Sequence, residues 1–92
     1  MCTYVTSTAE IAGSGKGANG WFPLTHAMVY VDHPYHAPYE HTVNIDFSNP
    51  AAGPSARVAV ELTEEAVLAL VDAIHAALAA VPAGLLQPVA SP

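Results

Sequence analysis

The stretch HTVNIDFS, residues 41–48, decides the fold because its apolar and polar residues alternate without interruption. Val43, Ile45 and Phe47 are apolar, and every position between them is polar. Strict alternation is typical of a β-strand that buries one face and exposes the other. We therefore interpret this segment as an inner strand of an antiparallel sheet.

Three further segments have the composition of strands, because they are rich in Val, Thr and aromatic residues. These strands are predicted at residues 2–11, 21–32 and 56–62. The connecting segments at residues 12–20, 33–40 and 49–55 carry the Gly and Pro that are typical of loops. Such short connections favour an antiparallel meander of four strands.

A helix is predicted after the fourth strand. Thr63 has the side chain of an N-cap, and Glu64 and Glu65 suit the positive first turn. An apolar stripe at helical spacing should pack on the sheet: Val67, Leu70, Val71, Ile74, Leu78 and Val81. Pro82 ends the helix. The sequence thus predicts an α+β fold with ββββα order, one domain over residues 1–82, and a Pro-rich tail over residues 83–92 that is loose or docked on a partner subunit.

The strand registers can be predicted from the loops. In the first hairpin we expect Thr6 opposite His26 and Cys2 opposite Tyr30. In the second we expect Tyr30 opposite Asn44 and Met28 opposite Asp46. Both registers place the even positions of the first three strands on one mixed face and the odd positions on an apolar face, which should carry the helix. A mixed face suits a dimer contact or a shallow binding surface.

Composition excludes several classes of partner. The formal net charge is −6, and Lys16 and Arg57 are the only lysine and arginine. Nucleic acids and anionic membranes are therefore not expected as partners. Hydrophobic residues make up 52% of the chain and charged residues 11%. So few charged residues leave much of the surface of a small monomer apolar. We therefore expect a homo-oligomer, most simply a dimer.

The compartment is predicted from what the sequence lacks. Cys2 is the only cysteine, so no intramolecular disulfide forms. The N-terminus has no basic region followed by an apolar core, as a signal peptide would have. The apolar run over residues 66–86 is interrupted by Asp72, His75 and Pro82, which argues against a membrane span. We expect a cytoplasmic protein.

The segment DHPYHAPYEH, residues 32–41, holds three of the five histidines and two carboxylates. Imidazole and carboxylate are natural ligands for zinc, iron, nickel or copper. His33 and His41 should face one another at the two ends of the loop, with His36 as a third ligand and Cys2 or Glu40 completing or supporting the site. An open coordination position would make the protein a metal-dependent enzyme acting on a small molecule, whereas a closed shell would make the metal structural.

Two alternatives to a metal site stay open at this point. A loop with histidines and tyrosines is also typical of a plain surface loop or of a metal-free small-molecule site. The protein could equally be a non-catalytic homodimeric binding or accessory module that uses the mixed face. His26, Tyr30 and Arg57 are then candidate substrate or interface residues, and Arg57 could pair with Glu61 or with Asp46.

Several motifs resemble those of a known family. They are Met-Cys-Thr-Tyr at residues 1–4, Gly-Trp-Phe at 20–22, Asp-His-Pro at 32–34, Glu-His-Thr at 40–42 and Pro-Ser-Ala-Arg-Val at 54–58. The chain resembles, over nearly its whole length, a family of short actinobacterial proteins whose function is unknown. The resemblance implies no activity, cofactor or catalytic residue.

Overall fold

Four antiparallel strands and one C-terminal helix form the part of the chain, residues 5–86, that the computed structural model describes. The strands are β1 (Val5–Gly17), β2 (Gly20–Asp32), β3 (Thr42–Ser48) and β4 (Arg57–Leu62), and the helix is α1 (Glu64–Ala80). A short 3₁₀ turn, Pro50–Ala52, lies between β3 and β4. The strand order β1-β2-β3-β4 is the predicted meander, and the ββββα topology is confirmed.

Cross-strand pairing sorts the side chains into two faces. One row of direct partners runs Val5, Val31, Val43, Leu62, and a second runs Ser7, Val29, Ile45, Val60. We call the surface that contains these rows the apolar face. The rows between them form the mixed face: Thr6, Tyr30, Asn44 and Glu61, then Thr8, Met28, Asp46 and Ala59. The predicted division into an apolar and a mixed face is confirmed.

The first hairpin is longer than predicted. The prediction of a strand ending at residue 11 and a loop over residues 12–20 was wrong, because β1 continues to Gly17 and turns back through residues 18 and 19. Glycines permit this continuation. A Cβ atom on Gly15 would lie 3.1 Å from Leu24, and one on Gly17 would lie 3.1 Å from Phe22. The Gly-rich stretch is thus a strand over which bulky side chains of β2 lie.

The longer hairpin also changes its register. Tyr30 lies opposite Thr6, and His26 lies opposite Glu10, so the predicted pairings of Thr6 with His26 and of Cys2 with Tyr30 were wrong. A shift of four residues keeps each side chain on its predicted face, because strand side chains alternate with period two. Cys2 itself lies outside the described residues. The predicted register of the second hairpin, with Tyr30 opposite Asn44, is confirmed.

The helix begins where the sequence predicts. The Thr63 hydroxyl accepts a hydrogen bond from the Ala66 N–H at 3.0 Å, as an N-cap does. α1 contacts β3 and β4. Every residue of α1 except the half-buried Val67 is exposed, so the helix lies only lightly against the sheet. The described part of the chain has no helix long and apolar enough to cross a membrane.

The core is thin. Within residues 5–86, Ile45 and Ala56 are the only buried apolar side chains, and α1 has no buried residue. Three polar side chains are buried beside them: Asp32, Thr42 and Asn44. These polar residues lie on β2 and β3 where the strands meet the loop over residues 33–41. The best-packed part of the sheet therefore adjoins the segment with the candidate ligands.

Candidate functional site

The loop over residues 33–41 is held against the sheet by one carboxylate, that of Glu61 on β4. Glu61 Oε2 accepts a hydrogen bond from the Tyr35 N–H, and Oε1 accepts from the N–H groups of His36 and Ala37 at 3.0 and 2.9 Å. These bonds, first of all the one from Tyr35, lower the pKa of Glu61 below its ordinary value because they favour the charged form. The middle of the loop is thereby fixed over the mixed face.

The two ends of this loop bring His33 and His41 together. Asp32 and Thr42 form the last pair of the β2–β3 ladder, and the two histidines follow directly outside it. Their ring centroids lie 4.5 Å apart, with the ring planes tilted by 36°. The predicted approach of these two side chains across the hairpin is therefore present in the structure.

The tautomer of His33 follows from its hydrogen bond. His33 Nδ1 lies 2.9 Å from the backbone carbonyl oxygen of Glu40. Because a carbonyl oxygen only accepts, Nδ1 carries the proton and donates it. In a neutral imidazole the lone pair then lies on Nε2, which is the arrangement found for most metal-binding histidines.

Buried polar side chains of β2 and β3 lie next to the histidine pair. Asp32 is only 4% exposed, and its Oδ1 accepts the backbone N–H of His33 at 2.7 Å. On the partner strand, the buried Thr42 hydroxyl donates to Asn44 Oδ1 at 2.6 Å. Asp32 therefore fixes the backbone of His33, and the Thr42–Asn44 bond orders two buried side chains at the start of β3, next to His41.

The other predicted ligands lie elsewhere. His36 donates its backbone N–H to Glu61 and lines a different cavity from His33. Glu40 contributes its backbone carbonyl to His33. Cys2 is outside the described residues. Within residues 5–86, no three His, Cys, Asp or Glu side chains come close enough to one another to hold a metal ion.

A second polar group crosses the mixed face from β2 to β4. Arg57 donates from Nη2 and Nε to Asp46 Oδ2, at 2.7 and 3.2 Å, so of the two predicted partners the structure shows Asp46. The Tyr30 hydroxyl donates to the same oxygen at 3.4 Å. Partial burial and then the charge of Asp46 raise the pKa of Tyr30, which keeps its hydroxyl protonated and able to donate.

Asp46 also has an oxygen that the network leaves unpaired. Its Oδ1 is buried and has no hydrogen-bond partner among the described residues. A buried carboxylate oxygen without a donor is costly, so within the described residues Asp46 Oδ1 is an acceptor that a ligand could use. All three members of the network face the same side of the sheet as the loop.

Two adjoining cavities separate the loop from the mixed face. The first has a volume of about 420 Å³ and is lined by Asp32, His33 and Met28, among others. The second, of about 600 Å³, is lined by His36, Arg57 and Glu61, among others. Both are also lined by the same four residues: Tyr30, Tyr35, Asn44 and Asp46. Volumes of this size suit a small molecule.

The candidate interface residue His26 lies at the far end of the mixed face. It lines a third cavity, of about 300 Å³, together with Met28, Asp46 and Arg57. Its Nδ1 is 2.7 Å from the Thr25 hydroxyl. His26 therefore belongs to the surroundings of the Arg57–Asp46 pair and is separate from the histidine pair at the loop.

Sequence reasoning missed the role of Glu61. An acidic residue on the exposed side of a strand is usually a solvated charge, and only the path of the loop brings three N–H groups to it. The composition of the loop over residues 33–41 was the sequence signal that could have indicated a side-chain acceptor. Pro34 and Pro38 interrupt it, and its remaining N–H groups need acceptors outside the sheet ladder.

Comparison with known proteins gives a family whose function is unknown. The model of a family described as "Family of unknown function (DUF6295)" matches residues 1–87. No curated protein and no solved structure matches the chain. The predicted resemblance to an uncharacterised family is confirmed, and the function must be argued from the site.

Replacing Glu61 by Gln should release the loop. We expect faster hydrogen exchange at the amides of residues 35–37, because a Gln side chain has one neutral oxygen in place of the two charged oxygens that accept these N–H groups. The pKa of Glu61 is lowered in the folded state, so its contribution to stability is complete above about pH 4.5, the value for the free side chain. That contribution should shrink as the pH falls through the lower, folded-state pKa.

The measurement is the free energy of unfolding of wild type and Glu61→Gln between pH 3 and 7, with exchange followed by NMR. Glu10→Gln, on the exposed part of β1, is the matched control and should leave the amides of residues 35–37 protected. Equal exchange rates in wild type and Glu61→Gln would show that the carboxylate does not hold the loop.

Proposed function

The chain belongs to this family of unknown function, and we propose from its own residues that it binds one transition metal ion between His33 and His41. The observation that carries the proposal is the approach of the two imidazole rings to 4.5 Å at the ends of one fixed loop. Imidazole nitrogen binds zinc, iron, nickel and copper. A pair held in place before the ion arrives loses little conformational freedom on binding.

The hydrogen bonding of His33 supports the same function. Nδ1 donates to the Glu40 carbonyl, so Nε2 has the lone pair that a metal needs. Three hydrogen bonds from the loop to Glu61 limit how far the two ends of the loop separate. Both features favour a defined ligand geometry over a loose cluster of surface histidines.

Further ligands would have to join the pair. Cys2, one of the predicted ligands, lies outside the described residues. Glu40 is the sequence neighbour of His41, and His36 belongs to the same loop. A coordination position left open towards the first cavity would give a bound small molecule access to the metal.

The metal proposal is tested by elemental analysis of untagged protein purified without a nickel column. We expect about one zinc, iron, nickel or copper ion per chain, or uptake of one Zn²⁺ per chain in calorimetric titration. His33→Ala and His41→Ala should each weaken Zn²⁺ binding at least ~10-fold, because each removes a ligand.

His75→Ala is the matched control, because His75 lies on α1, away from the loop, and its loss should leave Zn²⁺ binding unchanged. Absence of metal together with no Zn²⁺ uptake would contradict the proposal. Equal Zn²⁺ affinity of wild type, His33→Ala and His41→Ala would contradict it as well.

A second candidate function is non-catalytic binding of a small polar molecule by the mixed face. The unpaired Asp46 Oδ1 favours it. Arg57 and Tyr30 both use Oδ2, so Oδ1 remains available as an acceptor. A ligand that donates an N–H or O–H group there would satisfy a buried charge, and Met28 and Tyr35 would cover its apolar part. The protein would then be a binding or accessory module.

This second function is tested by NMR with a panel of small amides, amines and polyols. We expect at least one class of these compounds to shift the amide signals of Tyr30, Asn44 and Asp46. Asp46→Asn should weaken that binding about 10-fold or more, because a charged acceptor becomes neutral. Glu10→Gln, on the same face outside the two main cavities, should have no effect. Unchanged affinity in Asp46→Asn would contradict this function.

A further inference from the structure

α1 covers at most part of the apolar face. Neighbouring strands lie about 4.8 Å apart, and a helix with its side chains is about 10 Å wide, so even a fully packed helix would cover only about two strands. Every residue of α1 except Val67 is exposed, so the covered part is smaller still. α1 contacts β3 and β4, at one edge of the sheet. Over β1 and β2 the apolar face remains open. Val5 is 57% exposed, and Val29, on an inner strand, is 38% exposed.

The apolar stripe of α1 is itself uncovered. Leu70, Ile74 and Leu78 lie on one side of the helix by their spacing, and they are 42%, 50% and 55% exposed. This stripe is the one that the sequence predicts to be core. One chain therefore carries two apolar surfaces, the open half of the sheet and the helix stripe, and in the isolated chain neither is fully buried.

The accessible surface area of the chain is also larger than that of a typical folded monomer of the same mass. The accessible surface is 6972 Å², whereas a folded monomer of 9.5 kDa exposes about 5,000 Å². Counting the ten residues outside 5–86 as fully solvated chain raises that expectation only to about 6,200 Å². The excess of about 800 Å² matches the area that each partner buries in an interface of standard size.

We propose that a second copy of this chain covers the apolar face, with α1 of each copy packed over β1 and β2 of the other. Both complementary surfaces occur on the same chain, which is what a twofold symmetric interface requires. In the two rows that run through Val31 and Ile45, Ser7 is the only polar residue, so the surface suits an apolar partner of matching composition.

This interface differs from the dimer contact that the sequence suggested. The mixed face carries the loop, the Arg57–Asp46 pair and the cavities, and it stays open to solvent in the proposed dimer. Association through the apolar face would also complete the thin core by covering Val29 and the α1 stripe. The proposal does not depend on the metal, because it rests on side chains of the apolar face and of α1, none of which is a predicted ligand.

The first test is the molar mass of the full-length protein, by sedimentation equilibrium in the presence of EDTA so that no metal bridges two copies. We expect about 19 kDa, twice the chain mass of 9.5 kDa. Ile74→Glu should raise the dimer dissociation constant at least 100-fold, because it places a charge in the stripe. Ala76→Glu introduces the same charge on the opposite side of α1, by its helical spacing, and should leave the dimer intact.

If Ile74→Glu fails to fold, two measurements on wild-type protein test the proposed dimer instead. The thermal midpoint should rise with protein concentration, as it does when folding is coupled to association. A mixture of isotope-labelled and unlabelled chains should show intermolecular NOEs between the methyl groups of Ile74 or Leu78 and those of Val5 or Val29. A monomer at 100 μM with a concentration-independent midpoint would overturn the proposal.

A folded Ile74→Glu variant that remains fully dimeric would overturn it too, because the interface would then lie on another surface. So would a monomeric wild type that binds phosphatidylcholine vesicles through the same residues, since a lipid surface would then be the occupant.

Discussion

The carboxylate of Glu61 is the contact on which the arrangement over the mixed face depends. Consecutive N–H groups in a proline-interrupted loop have no partners in the sheet ladder, and this one side chain accepts three of them. The loop consequently folds over the sheet and forms one wall of both cavities. The Asp32–Thr42 pair at the end of the β2–β3 ladder keeps the two ends of this loop, and with them the rings of His33 and His41, next to each other. The candidate metal site and the candidate ligand cavity therefore both depend on the path of this one loop.

The two faces of the sheet differ in composition because side chains alternate along each strand. The mixed face bears the charged network of Arg57 and Asp46, the polar side chains beside it and the loop. The apolar face has almost nothing polar, and α1 leaves much of it uncovered. A chain of 92 residues with two buried apolar side chains in its described part has a small core, so the proposed burial between copies would add what one helix does not supply. Association through the apolar face would leave the opposite face open for ligands.

The parts of the fold that could be predicted are those set by local pattern. The alternation around Ile45 gave β3 and its register with β2, and Thr63 marked the start of α1. The end of β1 could not be predicted, because glycines at 13, 15 and 17 indicate a loop until the bulky side chains of β2 that lie over them are known. For the site, proximity of His33 and His41 followed from the hairpin. The function of Glu61 did not, because its partners lie 24 to 26 residues away along the chain.

We propose that His33 and His41 act together as metal ligands on a loop that is already in place. The side-chain nitrogen signals of all five histidines, followed by ¹H–¹⁵N NMR during a Zn²⁺ titration, test this proposal. The Nε2 signal of His33 and one ring-nitrogen signal of His41 should shift together and saturate at one ion per chain, while the signals of His26 and His75 should not change. A weak, unsaturated drift shared by all five histidines, or no shift at His33 and His41, would contradict it.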